Sequence, residues 1–296
     1  MSIEFHCHTL FSVDGSGTPE ALVDDAAARG VRCLSITEHN HLGSCERAAA
    51  RAAEHGIRYF PGIELDAFFQ QQSCHLLGLG IDPDHRALRE LAERNYACYL
   101  HRFEIYFAVL REQGFPWTRA DLEAYLAERY PTHPSPVLNH FCVPGFIATR
   151  GELDNFGAMR AKAVRALHER FTGPGPAIPG RFCRFEQARD AVHAAGGLLL
   201  LAHVGKYRPD NSEAQESMIR AVIRAGADGF ELYHHSHQTH ADLPGLAALA
   251  RELDCAVSGG SDCHHTPGVP PKEIGGCGAP DALGEELAQR LAHGTG

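Results

Sequence analysis

Short apolar runs of strand length alternate with amphipathic stretches of helical period along most of the chain. The runs cover residues 3–8, 32–37, 59–68, 75–81, 198–203, 229–233 and 255–261. Helix signals lie between them, such as the cap Thr18 followed by Pro19 and the stop at Gly30. A regular alternation of strand and helix predicts a parallel sheet in an α/β fold, with seven strands in this chain.

The middle of the chain, residues 87–184, has a different pattern. Helical periodicity runs over residues 99–115, 120–127 and 159–171. No strong strand pattern separates these stretches, and prolines and glycines interrupt them, most densely at 173–176. We therefore expect a mainly helical insertion between strands four and five, covering the functional site. Residues 1–86 and 185–296 are expected to form the domain that contains the sheet.

Side chains that commonly bind metals accompany the predicted strands. His6 and His8 flank Cys7 in an extended segment and therefore face the same way. A single His-x-His pair often arises without any metal. The chain offers further candidates, which follow, lie in or begin the other strands: Asp14, Glu38, His39, Glu64, His75, His203, Asp262 and His264. In a parallel α/β barrel the carboxyl ends of the strands meet at one rim, so we expect these residues to form one metal site.

Composition and charge limit the classes of function. With 44% apolar and 22% charged residues, the chain of 296 residues is typical of a globular protein. The formal net charge of -10 argues against a broad binding surface for duplex DNA. It does not exclude an anionic substrate, because divalent cations in one cleft reverse the local charge.

Cysteines and apolar stretches indicate the expected environment. The ten cysteines include no Cys-x-x-Cys pair, and the N-terminus lacks the features of a signal peptide. We expect reduced thiols in a cytoplasmic protein. No apolar stretch approaches the roughly 20 residues that span a bilayer, so no membrane partner is expected. The sequence leaves the oligomeric state open.

As a set, the candidate metal ligands resemble the PHP (polymerase and histidinol phosphatase) family. The matching motifs are His6-Cys7-His8, Asp14, Thr37-Glu38-His39, Gly62-Ile63-Glu64, His75, Ala202-His203 and Gly260-Ser261-Asp262-Cys263-His264. They span nearly the whole chain outside the expected insertion. One position departs from the family pattern, because Glu38 stands where the family usually has aspartate.

The resemblance implies a distorted seven-stranded β/α barrel that holds two or three divalent metal ions. Mn is the first expectation, with Zn or Fe as alternatives, because mixed histidine and carboxylate ligands suit these metals better than Ca or Mg. Carried over residue by residue, His6, His8, Glu64 and Asp262 would hold one ion. Glu64, His75 and His203 would hold the second, and Asp14, His39 and His264 the third.

Within the family, the nearer resemblance is to a subgroup with a helical insertion and an Ala-His-Pro-x-Arg-Tyr stretch. In this chain residues 202–208 read Ala-His-Val-Gly-Lys-Tyr-Arg. The subgroup is similar to phosphatases of nucleoside 3′,5′-bisphosphates and to exonucleases that trim short RNA. The resemblance implies hydrolysis of a phosphate monoester of a small nucleotide such as adenosine 3′,5′-bisphosphate, together with exonuclease action on short oligonucleotides.

Basic residues and histidines near the predicted ligands are candidates for the remaining roles. Lys206 and Arg208 would contact a second phosphate beside the metals. Three arginines of the insertion are further candidates for this contact: Arg150, Arg160 and Arg184. The leaving alkoxide needs a proton, and three histidines near the C-terminal strands are candidate donors: His235, His237 and His265.

Three alternatives stay open at this stage. A phosphatase of the histidinol phosphate type would share the same metals but differ in its substrate. A hydrolase of the amidohydrolase type would cleave a non-phosphate bond with similar chemistry. A non-catalytic metal-binding module would keep the fold without turnover.

Overall fold

The N-terminal part of the chain folds as predicted into strands and helices in alternation, followed by a hairpin. The computed structural model describes residues 2–130, 136–151, 153–171, 179–237, 241–264 and 273–293. The first elements are β1 (Ser2–Glu4), α1 (Pro19–Ala28), β2 (Val31–Leu34), α2 (Cys45–Glu54), β3 (Arg58–Tyr59), β4 (Gly62–Phe69) and β5 (Gln72–Leu79). Helix α1 begins as the sequence indicates, because the Thr18 side chain accepts a hydrogen bond from the Ala21 N–H.

The middle of the chain is helical. Its elements are α3 (Arg86–Glu112), α4 (Arg119–Arg129), α5 (Cys142–Ala148) and α6 (Leu153–Phe171), and β6 (Cys183–Arg184) follows them. These helices share an apolar cluster that includes Phe103, Phe146 and Phe171. The glycine- and proline-rich stretch 173–176 lies outside the described residues. The division of the chain into a sheet domain and an insertion stays a prediction.

The alternation of helix and strand resumes in the C-terminal part. Its elements are α7 (Phe185–Ala194), β7 (Leu198–Leu201), a short 3-10 helix (Val204–Lys206), α8 (Ser212–Arg224), β8 (Gly229–His234), α9 (Leu243–Leu253), β9 (Ala256–Gly260) and α10 (Asp281–His293). All four residues of β7 are leucines and all are buried. This burial on both faces is typical of a central strand between helix layers.

The strands form two sheets, which differ from the single parallel sheet expected from the sequence. Their orders are β1-β2-β3 and β6-β4-β5-β7-β8-β9. Strand β5 runs antiparallel to both β4 and β7. Only two residues separate β4 from β5, and Gln70 has a left-handed φ of 56°. So short a connection forms a hairpin, because a parallel pair requires a crossover of a dozen or more residues.

The two sheets meet at two points but do not form a closed barrel in the described part of the chain. One parallel bridge joins Cys7 to Cys263, and another joins His39 to Glu64. The described residues contain nine strands: the seven with three or more residues correspond to the predicted ones, and β3 and β6 have only two residues each. The α/β class is confirmed, and the larger of its two sheets is mixed.

Most of the cysteines lie in the core. All ten cysteines are free thiols, and all except Cys255 are buried. Across the described residues, no helix combines the length and apolar character needed to cross a membrane.

Candidate active site

The predicted ligands converge on Glu64, which is fully buried in β4. Its Oε2 lies 3.1 Å from His6 Nε2 and 3.2 Å from His8 Nε2. Its Oε1 lies 2.9 Å from His75 Nδ1 and 3.1 Å from His203 Nε2. His39 Nδ1 also lies 3.2 Å from Oε2, so each carboxylate oxygen faces a different set of imidazoles: three at Oε2 and two at Oε1.

The hairpin explains why His75 begins a strand while the other ligands follow strands. In the antiparallel pair, the start of β5 lies beside the end of β4, and His75 is directly opposite Asp66. Glu64 lies two residues before Asp66 in β4, so His75 reaches the same rim as Glu64.

Asp262 closes the first group of ligands from the opposite end of the chain. Its Oδ1 lies 3.6 Å from His6 Nε2 and 3.4 Å from His8 Nε2. The ligand atoms of these three residues and Glu64 lie within 4.8 Å of one another. Asp262 has a left-handed φ of 55°, which turns the chain sharply after β9.

The third predicted group lies beside the first. Asp14 Oδ2 is 3.3 Å from His264 Nε2 and 3.7 Å from His39 Nε2. The rings of His39 and His264 both pack against that of His8, with centroid separations of 4.6 and 4.1 Å, and their own centroids are 6.0 Å apart. The structure thus brings all nine predicted ligands into one cluster, while their roles as ligands stay predictions.

The cluster fits divalent cations. Several of its buried atoms face only other atoms of the cluster in the described part of the chain, among them His6 Nε2, His8 Nε2, Glu64 Oε2 and His264 Nε2. Buried polar atoms without a well-formed hydrogen bond cost about 1–3 kcal/mol each, and a cation bound between them would relieve this cost. Imidazole nitrogens mixed with carboxylate oxygens suit Zn, Mn or Fe.

Charges inside the cluster compensate one another in the absence of metal. Burial raises the pKa of Glu64, but positive charge on His39, His6 and His75 outweighs it and holds this pKa well below its usual range. Asp14 behaves similarly: burial raises its pKa, and the charges of His264 and His39 lower it by more. Cations can take the place of the protons on the imidazoles, so metal binding should release protons.

A buried hydroxyl fixes the tautomer of His8. Ser12 Oγ donates to Glu38 Oε2 at 2.7 Å, and it accepts from the His39 N–H at 2.9 Å. Its remaining lone pair faces His8 Nδ1 at 2.9 Å, so Nδ1 must be the donor. When His8 is neutral, its lone pair therefore lies on Nε2, which faces Glu64 and Asp262, as a metal ligand requires.

The same network accounts for Glu38, the departure from the family pattern. Its carboxylate accepts from the Thr9 N–H at 3.0 Å and from the hydroxyls of Thr9 and Ser12. Its longer side chain therefore reaches into the loop after β1. His39 nevertheless keeps its approach to Asp14 and Glu64.

Glu231 and His234 belong to the site although the sequence did not identify them. Glu231 Oε1 bonds His6 Nδ1 at 3.0 Å, and Oε2 accepts from the His203 N–H at 2.7 Å. His234 Nε2 is 3.4 Å from Asp262 Oδ2. Residues three apart on a regular strand face opposite sides, but β8 has a bulge between Glu231 and Tyr233. This bulge directs both side chains toward His6.

A buried polar network also links helix α3 to the cluster. His75 Nε2 lies 3.3 Å from Asp66 Oδ1. Asp66 Oδ2 accepts from the hydroxyl of Tyr99 and from Asn40 Nδ2, and the Asp66 carbonyl accepts from Asn95 Nδ2 at 2.8 Å. Asp66 therefore orients His75 with Nδ1 toward Glu64, and α3 holds Asp66 in place.

The five basic residues predicted to contact phosphate do not all reach the cluster. Lys206 does, since its Nζ lies 2.5 Å from Asp262 Oδ2. Arg208 donates instead to Gln72 at 2.7 Å. The other three lie elsewhere: Arg150 stacks over Trp117 and Phe146, Arg160 is exposed on α6, and Arg184 is exposed before α7. Among the described residues these four arginines have contacts outside the cluster or are exposed, and their expected role in binding phosphate stays a prediction.

The three candidate proton donors have different surroundings. His237 is buried, and its ring bonds the backbone on both sides: Nδ1 contacts a carbonyl at 2.9 Å and Nε2 accepts from the Gly205 N–H at 3.1 Å. It supports the turn that carries Lys206 and has no nitrogen left for substrate. The ring of His235 lies 4.3 Å from that of His234. His265 lies outside the described residues.

Comparison with known proteins supports the reading of this site. The family model described as PHP domain matches residues 4–149. A 3′,5′-nucleoside bisphosphate phosphatase from Chromobacterium violaceum is 29% identical over 91% of this chain and 93% of its own length. A 5′-3′ exoribonuclease from Escherichia coli is 27% identical over 88% of this chain and 84% of its own length.

A solved structure supports the fold. A protein from Bifidobacterium adolescentis has a TM-score of 0.74 and 24% identity, covering 99% of this chain and 96% of its own. These comparisons confirm the resemblance expected from the motifs. They also confirm the expected enzyme class, a metal-dependent hydrolase.

Proposed function

This chain carries a PHP domain, and on that premise we propose that it is a divalent-metal-dependent phosphatase of small nucleotides. Its first candidate substrate is a nucleoside 3′,5′-bisphosphate, from which it would release one phosphate. The placement of the two Glu64 oxygens between two separate sets of histidines carries this proposal. The similarity to a nucleoside bisphosphate phosphatase over nine-tenths of the chain supports the substrate class.

The proposed metal sites follow the three groups of ligands. His6, His8, Glu64 and Asp262 hold the first ion, Glu64, His75 and His203 the second, and Asp14, His39 and His264 the third. Mn is the first candidate, with Zn and Fe as alternatives. When bound, such ions supply Lewis acidity toward phosphoryl oxygens and activate water near neutral pH.

Two side chains of the chain itself are proposed to act on the substrate. Lys206 is partly exposed and adjoins Asp262, so its ammonium can face a phosphoryl oxygen at the edge of the cluster. His235 is the proposed donor of a proton to the leaving alkoxide, because it adjoins His234 and the cluster. His265 stays a candidate for the same role.

The finer architecture is part of the same proposal. We propose that residues 1–86 and 185–296 form a distorted seven-stranded barrel of a cytoplasmic enzyme, with 87–184 as an insertion over its rim. The bond of 3.0 Å from the Phe5 N–H to the Gly259 carbonyl supports closure between β1 and β9. Asn139 Nδ2, which lies 3.3 Å from the carbonyl of Val13, supports an insertion that reaches the rim beside Asp14.

Exonuclease action on short RNA is the second candidate function. The similarity to an exoribonuclease over 88% of the chain favours it. Both reactions hydrolyse phosphate esters of nucleotides, so a single metal cluster is suited to both.

The test is phosphate release from a panel of substrates by the Mn-loaded protein. We expect turnover of adenosine 3′,5′-bisphosphate, loss of activity with a chelator and recovery with Mn. The panel includes AMP, histidinol phosphate, a 5′-phosphorylated RNA trimer, an amide and a lactone. Turnover confined to histidinol phosphate, or to amides or lactones, would overturn the proposed substrate.

A variant separates catalysis from structure. His203→Asn removes one proposed ligand and should abolish turnover. If this variant kept full activity but melted at a lower temperature, the cluster would be a structural metal module rather than an active site.

A further inference from the structure

Helix α3 carries a stripe of polar and aromatic side chains that begins at the cluster and continues beyond it. Asn95, Tyr99, Arg102 and Tyr106 are spaced by four, three and four residues, so they lie on one face of the helix. The first two are fully bonded to Asp66 and its neighbours. Arg102 lies about one turn beyond Tyr99, roughly 4.5 Å along the helix axis. Tyr106 lies about two turns beyond Tyr99, roughly 10.5 Å along the axis.

The outer half of this stripe has donors without acceptors. Arg102 Nε and the Tyr106 hydroxyl are shielded from solvent and have no hydrogen-bond partner in the described part of the chain. The same holds for Nδ1 of His140, whose ring centroid is 6.0 Å from that of Tyr106. Three such groups on adjoining side chains indicate a missing acceptor.

Among the residues that the structure describes, no carboxylate forms an ion pair with Arg102, although Asp66 attracts it at longer range. Its guanidinium lies over the rings of Phe171 and Phe182, 4.7 and 4.8 Å from their centroids. Its hydrogen bond to the Gly180 carbonyl is long at 3.5 Å. A desolvated cation without a close counter-charge is unfavourable, and an anionic ligand would relieve this cost.

His140 faces both this stripe and the metal cluster. Burial, together with the charges of Arg102 and Arg160, lowers the pKa of His140 to about 4 against the opposing effect of Asp66 and Asp14. Its neighbour Asn139 contacts the loop that carries Asp14. The outer stripe and the cluster therefore lie near each other, since Asp66 acts on the charges of both Arg102 and His140 and also contacts His75.

We propose that Arg102, Tyr106 and His140 bind the phosphate group that the enzyme does not hydrolyse. This subsite rests on the proposed function, in which one phosphate of a bisphosphate lies at the metals. A guanidinium presents paired donors to phosphate oxygens, and the hydroxyl and imidazole add one donor each. The subsite replaces Arg208, Arg150 and Arg184 in the role expected of them, while the exposed Arg160 adds positive charge nearby.

The test compares Arg102→Met with the matched control Arg150→Met. Arg150 also lies over two aromatic rings in the helical region, but away from the stripe. In the Mn-loaded enzyme we expect Arg102→Met to raise the KM for adenosine 3′,5′-bisphosphate about tenfold or more. The kcat for adenosine 3′,5′-bisphosphate should stay within about twofold of the wild-type value. The same holds for the kcat and KM of p-nitrophenyl phosphate, which has no second phosphate. Arg102→Lys should recover part of the KM, and Arg150→Met should match wild type.

Calorimetric titration of AMP into the Mn-loaded protein gives a readout that does not need turnover. We expect its Kd to rise about tenfold in Arg102→Met and to stay unchanged in Arg150→Met. If wild type hydrolyses no phosphate ester but binds AMP through Arg102, the proposed function fails and the subsite stands. If wild type is active and Arg102→Met changes neither KM nor Kd, the subsite fails and the function stands.

A purely structural role for Arg102 would give a different pattern. It would lower the melting temperature and impair both substrates equally, which overturns the subsite. If Arg102→Met does not fold, Tyr106→Phe and His140→Gln replace it, since each removes or alters one unpartnered group with little change of shape. Both should raise the KM for the bisphosphate alone, and two variants without effect would overturn the proposal.

Discussion

At the residue scale, the tautomer of His8 depends on a serine that no ligand motif includes. Ser12 donates to Glu38 and accepts from both His39 N–H and His8 Nδ1, so all its hydrogen-bonding capacity is used. We expect Ser12→Ala to weaken Mn binding about 10- to 100-fold, because His8 loses the contact that directs Nε2 at the metal. Titration of the metal-free protein with Mn measures this.

Two further variants serve as controls for the prediction at Ser12. Ser12→Thr keeps the hydroxyl and should retain most of the affinity. Ser73→Ala changes an exposed serine of the hairpin and should bind Mn like wild type. An unchanged Mn affinity in Ser12→Ala would mean that the ring of His8 is held by its neighbours alone.

Two imidazoles of the cluster retain protons far above the usual range for histidine. Burial lowers the pKa of His8, but hydrogen bonds to Asp262 and Glu64 outweigh it and raise the pKa to about 9. In His75 the charges of Glu64 and Asp66 likewise outweigh burial and raise the pKa to about 10. Both folded-state values exceed the ordinary value of 6.5.

A pH dependence of stability follows for the metal-free protein. The stabilisation from these protons is complete below about pH 6.5 and is lost as the pH rises through about 9 to 10. We expect the urea midpoint of the metal-free protein to fall between about pH 7 and pH 10. Mn affinity should rise over the same interval, because metal and protons compete for the same nitrogens. A midpoint that stays constant over this range would contradict the prediction.

At the element scale, helix α3 and strand β4 are joined through Asp66. We expect Tyr99→Phe to lower the free energy of unfolding by about 1–3 kcal/mol, because it removes a hydrogen bond to a buried carboxylate. Mn binding should also weaken, since Asp66 orients His75. Urea unfolding and Mn titration measure the two effects.

The same helix supplies the control. Tyr96→Phe removes a hydroxyl one turn earlier that does not contact Asp66, and it should change stability by less than about 0.5 kcal/mol. Equal losses in the two variants would show that α3 contributes only apolar packing to the site.

At the scale of the whole molecule, the sequence predicted which residues lie together better than it predicted the arrangement of the strands. Each predicted ligand is next to a short apolar run, and that pattern is the same whichever way the strand runs. The direction of β5 was missed because a two-residue hairpin at Gln70 has no glycine or asparagine to indicate it. This error had little effect on the predicted site, because the hairpin brings His75 to the rim where a parallel strand would end.

The supporting residues were harder to predict for a physical reason. Asp66, Glu231 and Ser12 act through contacts with residues distant in sequence or through irregular backbone. Glu231 depends on a bulge in β8, and Asp66 depends on a helix that begins twenty residues later. Hydrophobic periodicity carries no information about either feature, whereas a metal ligand can be identified by its residue type and position.

The metal cluster joins the two ends of the chain. His6 and His8 follow β1, while Asp262 and His264 follow β9, and backbone bonds flank them: the Asp262 N–H donates to the His6 carbonyl at 2.7 Å, and the His8 N–H donates to the Cys263 carbonyl at 2.8 Å. A ligand that binds only the folded state stabilises it by about 2.7 kcal/mol at a hundredfold excess over its Kd. We therefore expect chelation to lower the melting temperature, and Mn to restore it.

Hydrogen exchange should localise this effect. The amides of His8 and Asp262 should exchange faster after chelation, because the cation no longer holds together the predicted ligands on either side of these bonds. His193→Gln provides the control, since His193 pairs with Asp228 outside the cluster and should leave the Mn-dependent shift unchanged. His203→Asn should reduce the shift. If chelation changed neither the melting temperature nor exchange at these amides, the cluster would not hold metal in the folded protein, and the proposed chemistry would fail with it.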